Sequence, residues 1–143
     1  MITLVLDASV AVKWAVPSAQ EPLTDEALRL FQRHLSGEIE FIVPDIFWAE
    51  VGNVLWRGIR QRRWPRDKTE AVAADLCAQD FQSVSSKTLL PEALRIALLY
   101  DRNIYDCLYA ALALESKADL ITADERLANA LAARFPVKWL GAF

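Results

Sequence analysis

Four carboxylates and two hydroxyls in this chain sit where α/β proteins do chemistry, at or just beyond short apolar runs. Asp7 and Ser9 follow Ile2–Leu6, and Thr122 and Asp124 close and follow Leu120–Thr122. Glu50 lies shortly after Pro44, which ends the run Glu40–Val43, and Asp106 opens the apolar stretch that leads to Leu120. Each acid also has an ordinary structural reading. Asp7, Asp106 and Asp124 suit helix N-caps, and Glu50 suits an early helical turn, where the dipole favours negative charge. Asp7 is the least ordinary, because a lone carboxylate straight after a buried strand is costly unless paired or bound to a cation. Four acids at one edge repel each other and drive one or more pKa values up. A hard divalent cation, Mg²⁺ or Mn²⁺, removes that conflict by taking carboxylate and water oxygens as ligands. Such an ion activates water and stabilises a leaving oxygen in phosphodiester cleavage, so no side chain need be the nucleophile.

Bringing these residues together demands particular elements. Ile2–Leu6 (ITLVL) reads as a strand buried on both faces. Ser9–Val16 reads as a short helix stopped by Pro17, and Leu23–Leu35 as an amphipathic helix stopped near Gly37. Glu40–Val43 is a second strand, and Asp45 is the expected N-cap of a helix reaching about Arg62. Asp67–Ala78 follows as a helix and Phe81–Val84 as a short extended piece. Ser86 is the expected cap for a helix over Leu89–Leu99, with Pro91 in its first turn. Tyr105–Lys117 is a strongly apolar helix, followed by strand Leu120–Thr122, helix Glu125–Arg134 and strand Val137–Leu140. Strands alternating with helices predict an α/β fold, a parallel sheet covered on both faces. Ligands in such sheets bind beyond the carboxyl ends of the strands.

The 143 residues suit one domain, 1–143, and 54% of them are hydrophobic, which excludes a disordered chain. No apolar run approaches the ~20 residues of a membrane span. Asp7 interrupts the first run and no basic segment precedes it, which argues against a secretory signal. Cys77 and Cys107 stand far apart and in no metal-binding spacing. A reducing cytoplasm is the expected compartment.

The same residues carry a resemblance. Asp7-Ala8-Ser9, the segment from Pro44 through Glu50 to Asn53, Tyr105-Asp106 and Thr122-Ala123-Asp124 resemble, in order, the four motifs of PIN-domain ribonucleases. The opening VLDASVAVKW is especially similar to the VapC-type toxins of bacterial toxin–antitoxin pairs. Each motif alone is weak, but all four in order over nearly the whole chain are specific, and none of the four acids is missing. The resemblance implies a three-layer α/β/α sandwich and Mg²⁺- or Mn²⁺-dependent endonucleolytic hydrolysis of RNA, leaving a 5′-phosphate and a 3′-hydroxyl. It implies Asp7, Glu50 and Asp106 as metal ligands, with Asp124 completing the catalytic set. Ser9 and Thr122 would orient those carboxylates, and Asn53 would assist. It also implies a VapB-like antitoxin and commonly a toxin homodimer.

Other features have two readings each. Arg57, Arg60, Arg62, Arg63, Arg66 and Lys68 face only one acid, Asp67, in a chain whose formal net charge is −3. The surplus suits an RNA backbone, met through Arg57, Arg60, Arg62 and Arg63, or simply the C-terminal end of a helix. Trp14, Trp48 and Trp56 suit either core or a groove for the antitoxin. His34, without a partner at ligand spacing, reads as a surface residue. Two rival functions stay open: a phosphatase or phosphotransferase with Asp7 as nucleophile, and a non-catalytic RNA- or partner-binding module on the same fold. The first typically has a second Asp where this chain has Ser9.

Overall fold

The four expected strands and the short extended piece all enter one sheet. In the computed structural model, which describes residues 1–15 and 21–143, the strands are β1 (Ile2–Leu6), β2 (Ile39–Pro44), β3 (Gln82–Val84), β4 (Asp119–Thr122) and β5 (Val137–Trp139). They pair in the order β3-β2-β1-β4-β5, and every pairing is parallel. Parallel neighbours need crossovers. These run through α1 (Ala8–Ala15), α2 (Thr24–Leu35), α3 (Ile46–Arg60), α4 (Arg66–Cys77), α5 (Ser86–Tyr100), α6 (Ile104–Ser116) and α7 (Glu125–Leu131). Val16 and Pro17, the expected end of the first helix, lie outside the described residues.

The period-2 pleat divides the strand side chains between two cores. Val5, Ile42, Leu120 and Val137 pack with Leu89, Ile96, Leu112 and Leu127 of α5, α6 and α7. Leu4, Leu6, Phe41, Val43 and Ile121 pack on the other face with Val10, Leu30, Phe47 and Leu76 of α1 to α4. The result is the three-layer α/β/α sandwich that the alternation and the resemblance predict. Each fully buried aliphatic side chain contributes about 1.5–3 kcal/mol against exposure. From β1 the chain steps outward to β2 and β3 with its helices on one face. It then returns past β1 to β4 and β5 with its helices on the other. Right-handed crossovers require that switch of face when the direction of travel reverses. Between the carboxyl ends of β1 and β4 the connections therefore diverge, and a crevice opens there.

Several local expectations change. The N-cap of α5 is Ser85, whose side chain accepts from the Lys87 N–H at 3.2 Å. Ser86 instead lies within the helix and donates to the Asp45 carboxylate. Asp45 accordingly makes no capping bond to α3. Its backbone is already helical at φ −64°, and its N–H continues the β2–β3 pairing to the Val84 carbonyl at 2.8 Å. Gly37 ends α2 as expected, at φ +82°, with Gly37 N–H on His34 O and Glu38 N–H on Arg33 O. That is the Schellman pattern.

His34 is not a surface residue. It is half-buried, its ring 5.0 Å from Phe41 and 5.3 Å from Phe81, with Nδ1 3.0 Å from the Ile39 carbonyl. Trp14 and Trp48 join the same aromatic cluster. Trp14 lies 4.7 Å from Phe31 and donates Nε1–H to the Ala27 carbonyl at 2.7 Å, and Trp48 lies 4.9 Å from Phe47. Of the three tryptophans read as groove candidates, only Trp56 is exposed, at 53%. Both cysteines are free. No helix among the described residues is long and apolar enough to cross a membrane.

Candidate functional site

Asp7 continues β1 beyond its last residue. Its N–H donates to the Ile121 carbonyl at 3.0 Å, which keeps it in step with β4. The β1–β4 register thereby places Thr122 beside Asp7, and the first turn of α1 adds Ser9. Ser9 Oγ donates to Asp7 Oδ2 at 2.5 Å, and Thr122 Oγ1 donates to the same oxygen at 2.8 Å. Each hydroxyl also accepts a backbone N–H at 3.0 Å, Ser9 from Ala123 and Thr122 from Asp124. Those N–H groups occupy hydroxyl lone pairs and turn the hydroxyl protons towards Asp7. Hydroxyls, not the first amides of α1, hold the Asp7 carboxylate. Thr122 is fully buried, so this pair is also dry on one side.

Glu50 lies in the second turn of α3, half-buried. Its Oε1 accepts a 2.6 Å hydrogen bond from Tyr109 Oη. Tyr109, only 1% exposed, lies on α6 one turn beyond Asp106. One hydroxyl thus ties α6 to α3. Asp106 Oδ2 accepts from Arg102 Nη2 at 3.1 Å and from Asn103 Nδ2 at 3.3 Å. Asn103 is the N-cap of α6, its Oδ1 taking the Asp106 N–H at 2.9 Å. Asp124 does cap a helix. Its Oδ1 accepts from Arg126 and Leu127 at the start of α7.

The acids share one field. Burial holds the Asp7 carboxyl above the usual carboxylate range. The Ser9 and Thr122 bonds pull it down, and the charges of Asp106 and Asp124 push it up. Burial likewise raises Glu50, against its Tyr109 bond and with the charges of Asp7 and Asp106. Burial, the Asp7 charge and the bond to Glu50 push the Tyr109 phenol far up, so it remains a donor. The donors present are carboxylate and hydroxyl oxygens, the chemistry of a hard cation. Among the described residues no three Asp, Glu, His or Cys side chains stand close enough to grip one ion jointly.

Residues 4–131 match the PIN domain family. The chain belongs to that family. Its fold is also that of PAE2754 from Pyrobaculum aerophilum, with a TM-score of 0.70 and 21% identity, covering 99% of this chain and 85% of that one. A toxin–antitoxin complex from Klebsiella pneumoniae gives a TM-score of 0.63 at 14% identity, over 94% of this chain and 95% of that one. VapBC2 from Rickettsia felis, bound to a DNA fragment from its promoter, gives 0.67 at 12% identity, over 96% and 98%. No curated protein sequence is a match.

Within this PIN domain Asp7, Ser9 and Thr122 bond to one another where β1 and β4 end, and Glu50, Asp106 and Asp124 are near enough for their charges to act on one another, whereas the basic segment takes no part. Arg57, Arg60, Arg62 and Arg63 are exposed at the end of α3 and in the turn after it. Arg60 lies about 15 Å along the helix axis from Glu50. Its guanidinium stacks over Trp56, and that of Arg63 over Trp64. Asn53 is exposed one turn beyond Glu50. Tyr109 and Arg102 are the neighbours of the acids that spacing alone misses. The available signal for Tyr109 is a phenol inside an Ala- and Leu-rich helix, since a buried phenol needs a partner.

Proposed function

We propose that this chain, as a single PIN domain over 1–143, is a divalent-cation-dependent endoribonuclease and the VapC-type toxin of a type II toxin–antitoxin pair. The observation that carries the reading is Asp7, a carboxylate fixed by two hydroxyls at the switch point of the sheet, in the field of Glu50, Asp106 and Asp124. The family supports nuclease chemistry, and the toxin–antitoxin complexes among the structural neighbours support an antitoxin partner. A homodimer and a cytoplasmic setting belong to the same reading.

Asp7, Glu50 and Asp106 would hold the ion, directly or through water, with Asp124 at the edge of the set. The bound ion, Mg²⁺ or Mn²⁺, would supply Lewis acidity at a phosphoryl oxygen and a readily ionised water. The protein's own groups set the geometry. Ser9 and Thr122 hold Oδ2 of Asp7, which leaves Oδ1 as the oxygen for a ligand. Tyr109 fixes Glu50 in the same way, leaving Oε2. Arg102 balances Asp106 and is a cation close enough to the acids to meet an RNA phosphate. The direct test is incubation of the purified chain with unstructured RNA and Mg²⁺, with the product ends mapped. Internal cleavage leaving 5′-phosphates is expected, and intact RNA under these conditions would defeat the reading.

Tyr109→Phe isolates the strut. It removes one oxygen and leaves the ring, so stability is expected to fall by only about 1–2 kcal/mol, the scale of one buried hydrogen bond. Glu50 loses its anchor, and Mn²⁺ affinity is expected to drop about 10- to 100-fold, as for other groups that orient metal ligands. Mn²⁺ titration beside a thermal melt checks both, and unchanged affinity would reduce Tyr109 to a packing residue.

Arg60→Glu, Arg62→Glu and Arg63→Glu combined test the basic segment. If the three meet phosphates, the slope of log affinity for single-stranded RNA against log salt is expected to flatten by about 2, since each lost contact removes about 0.7. Stability should change by no more than about 1 kcal/mol, because all three are exposed. An unchanged slope would assign the segment to the helix end alone.

A further inference from the structure

Between the first turns of α3 and α6 lies an open cavity of about 330 Å³, lined by Ile46, Ala49, Glu50, Asn53 and Tyr105. The four α3 residues fall at i, i+3, i+4 and i+7, so one helix face forms one wall. Tyr105 forms the other. It is 56% exposed, although every residue of α6 from Cys107 to Ala113 is buried. The residue that follows it is Asp106, and Glu50 lies in the cavity wall itself, so the cavity adjoins the proposed site.

We propose that this cavity is a nucleobase subsite, in which an unpaired base next to the scissile phosphate stacks on Tyr105 and meets Asn53 at its edge. The inference rests on the nuclease reading, because it requires an RNA phosphate at the acids. The lining matches a base in kind. A base has apolar faces and a rim of alternating donors and acceptors. Tyr105 offers a flat aromatic face, Ile46 and Ala49 an aliphatic one, and the Asn53 amide both a donor and an acceptor. The volume is at the low end for a small-molecule pocket, which suits one planar ring system. A base stacked inside an A-form duplex cannot be delivered here, so the subsite selects loops and single strands. A basic peptide from a protein partner would also meet Glu50, but it would depend on that charge, whereas stacking depends on the ring.

The test uses Asp7→Asn protein, which loses one of the charges that repel RNA and is expected to hold it without cutting it, and a short single-stranded oligoribonucleotide carrying an abasic residue at each position in turn. One abasic position is expected to weaken binding about 5- to 100-fold, the range of aromatic–base stacking. Tyr105→Ala in the same background should lose a similar factor with the intact oligonucleotide and show no further loss with that abasic one, while Tyr105→Phe retains affinity. Tyr105 is exposed, so the melting temperature should not move. Equal abasic penalties with and without the Tyr105 ring would overturn the subsite and leave the nuclease reading standing. So would Tyr105→Ala protein that binds RNA normally but loses a co-expressed antitoxin, which assigns the face to a protein partner. Failure of the Asp7→Asn protein to bind any RNA, with wild-type protein unable to cleave it, would overturn both.

Discussion

Asp7→Asn is expected to abolish RNA cleavage and, at the same time, to raise the melting temperature of the ion-free protein. Asparagine keeps the volume, and its carbonyl oxygen can still accept from Ser9 and Thr122, so the crevice keeps its shape. What disappears is a negative ligand at the centre of the set. The loss of activity should be roughly 10³-fold or more, the several kcal/mol that a divalent ion contributes to charge stabilisation at phosphorus. The stability gain follows from the sign of the pKa shift. Burial raises the Asp7 carboxyl above its unfolded value. Between the two values the folded state therefore binds more protons than the unfolded state, and stability falls as pH rises through that window. Above it, the ionised carboxylate remains a fixed cost. Asparagine cannot ionise and carries none of it. Melts in chelator from pH 4 to 8 should show the wild type weakening with pH more than the variant, with Glu50 contributing the same sign in both. A folded Asp7→Asn protein that cleaves RNA at near wild-type rate would refute the assignment of the site.

The layers of the fold were legible because burial is periodic. The end of ITLVL is apolar at successive positions since Leu4 and Leu6 enter one core and Val5 the other. The four acids were legible because strand ends are marked by composition, and strand ends are where a parallel sheet places its ligands. What local spacing does not carry is the choice of partner across the sheet. That Thr122 and Ser9 share one oxygen of Asp7 depends on β1 lying beside β4, 113 residues from Ser9 to Thr122. The same holds for Tyr109 and Glu50, which come from helices on opposite faces of the sheet and meet only at its edge. Asp45 and Ser86 show the reverse error. Each has the composition of a cap, but they bond to each other, and Ser85 takes the capping role. His34, Trp14 and Trp48 were misplaced or left undecided because an aromatic at helical spacing reads alike whether it faces Phe41 and Phe81 or water.

Removal of divalent ions is expected to stop cleavage completely and reversibly. Excess EDTA should abolish activity, and Mg²⁺ or Mn²⁺ should restore it. Ca²⁺ should bind with little turnover, because its longer, more flexible coordination positions water poorly. The physical basis is the shared field of Asp7, Glu50, Asp106 and Asp124, which raises the cost of each further negative charge in the crevice. An RNA phosphate adds one more, so substrate and carboxylates repel unless a cation lies between them. The same field makes the ion a stabilising ligand. At a concentration 100-fold above its dissociation constant it should add about 2.7 kcal/mol to the unfolding free energy. Protons compete for the same oxygens, and the raised Asp7 and Glu50 carboxyls make that competition stronger than at ordinary acids. Ion affinity should therefore fall as pH is lowered through their folded pKa values, and the ion-dependent rise in melting temperature should fall with it. Asp7→Asn should lose most of that rise at every pH, while a change at the distant Arg60 should not. Full activity in chelator, with residual metal shown to be negligible, would exclude the ion from the reaction and leave the clustered acids without the partner their charges call for.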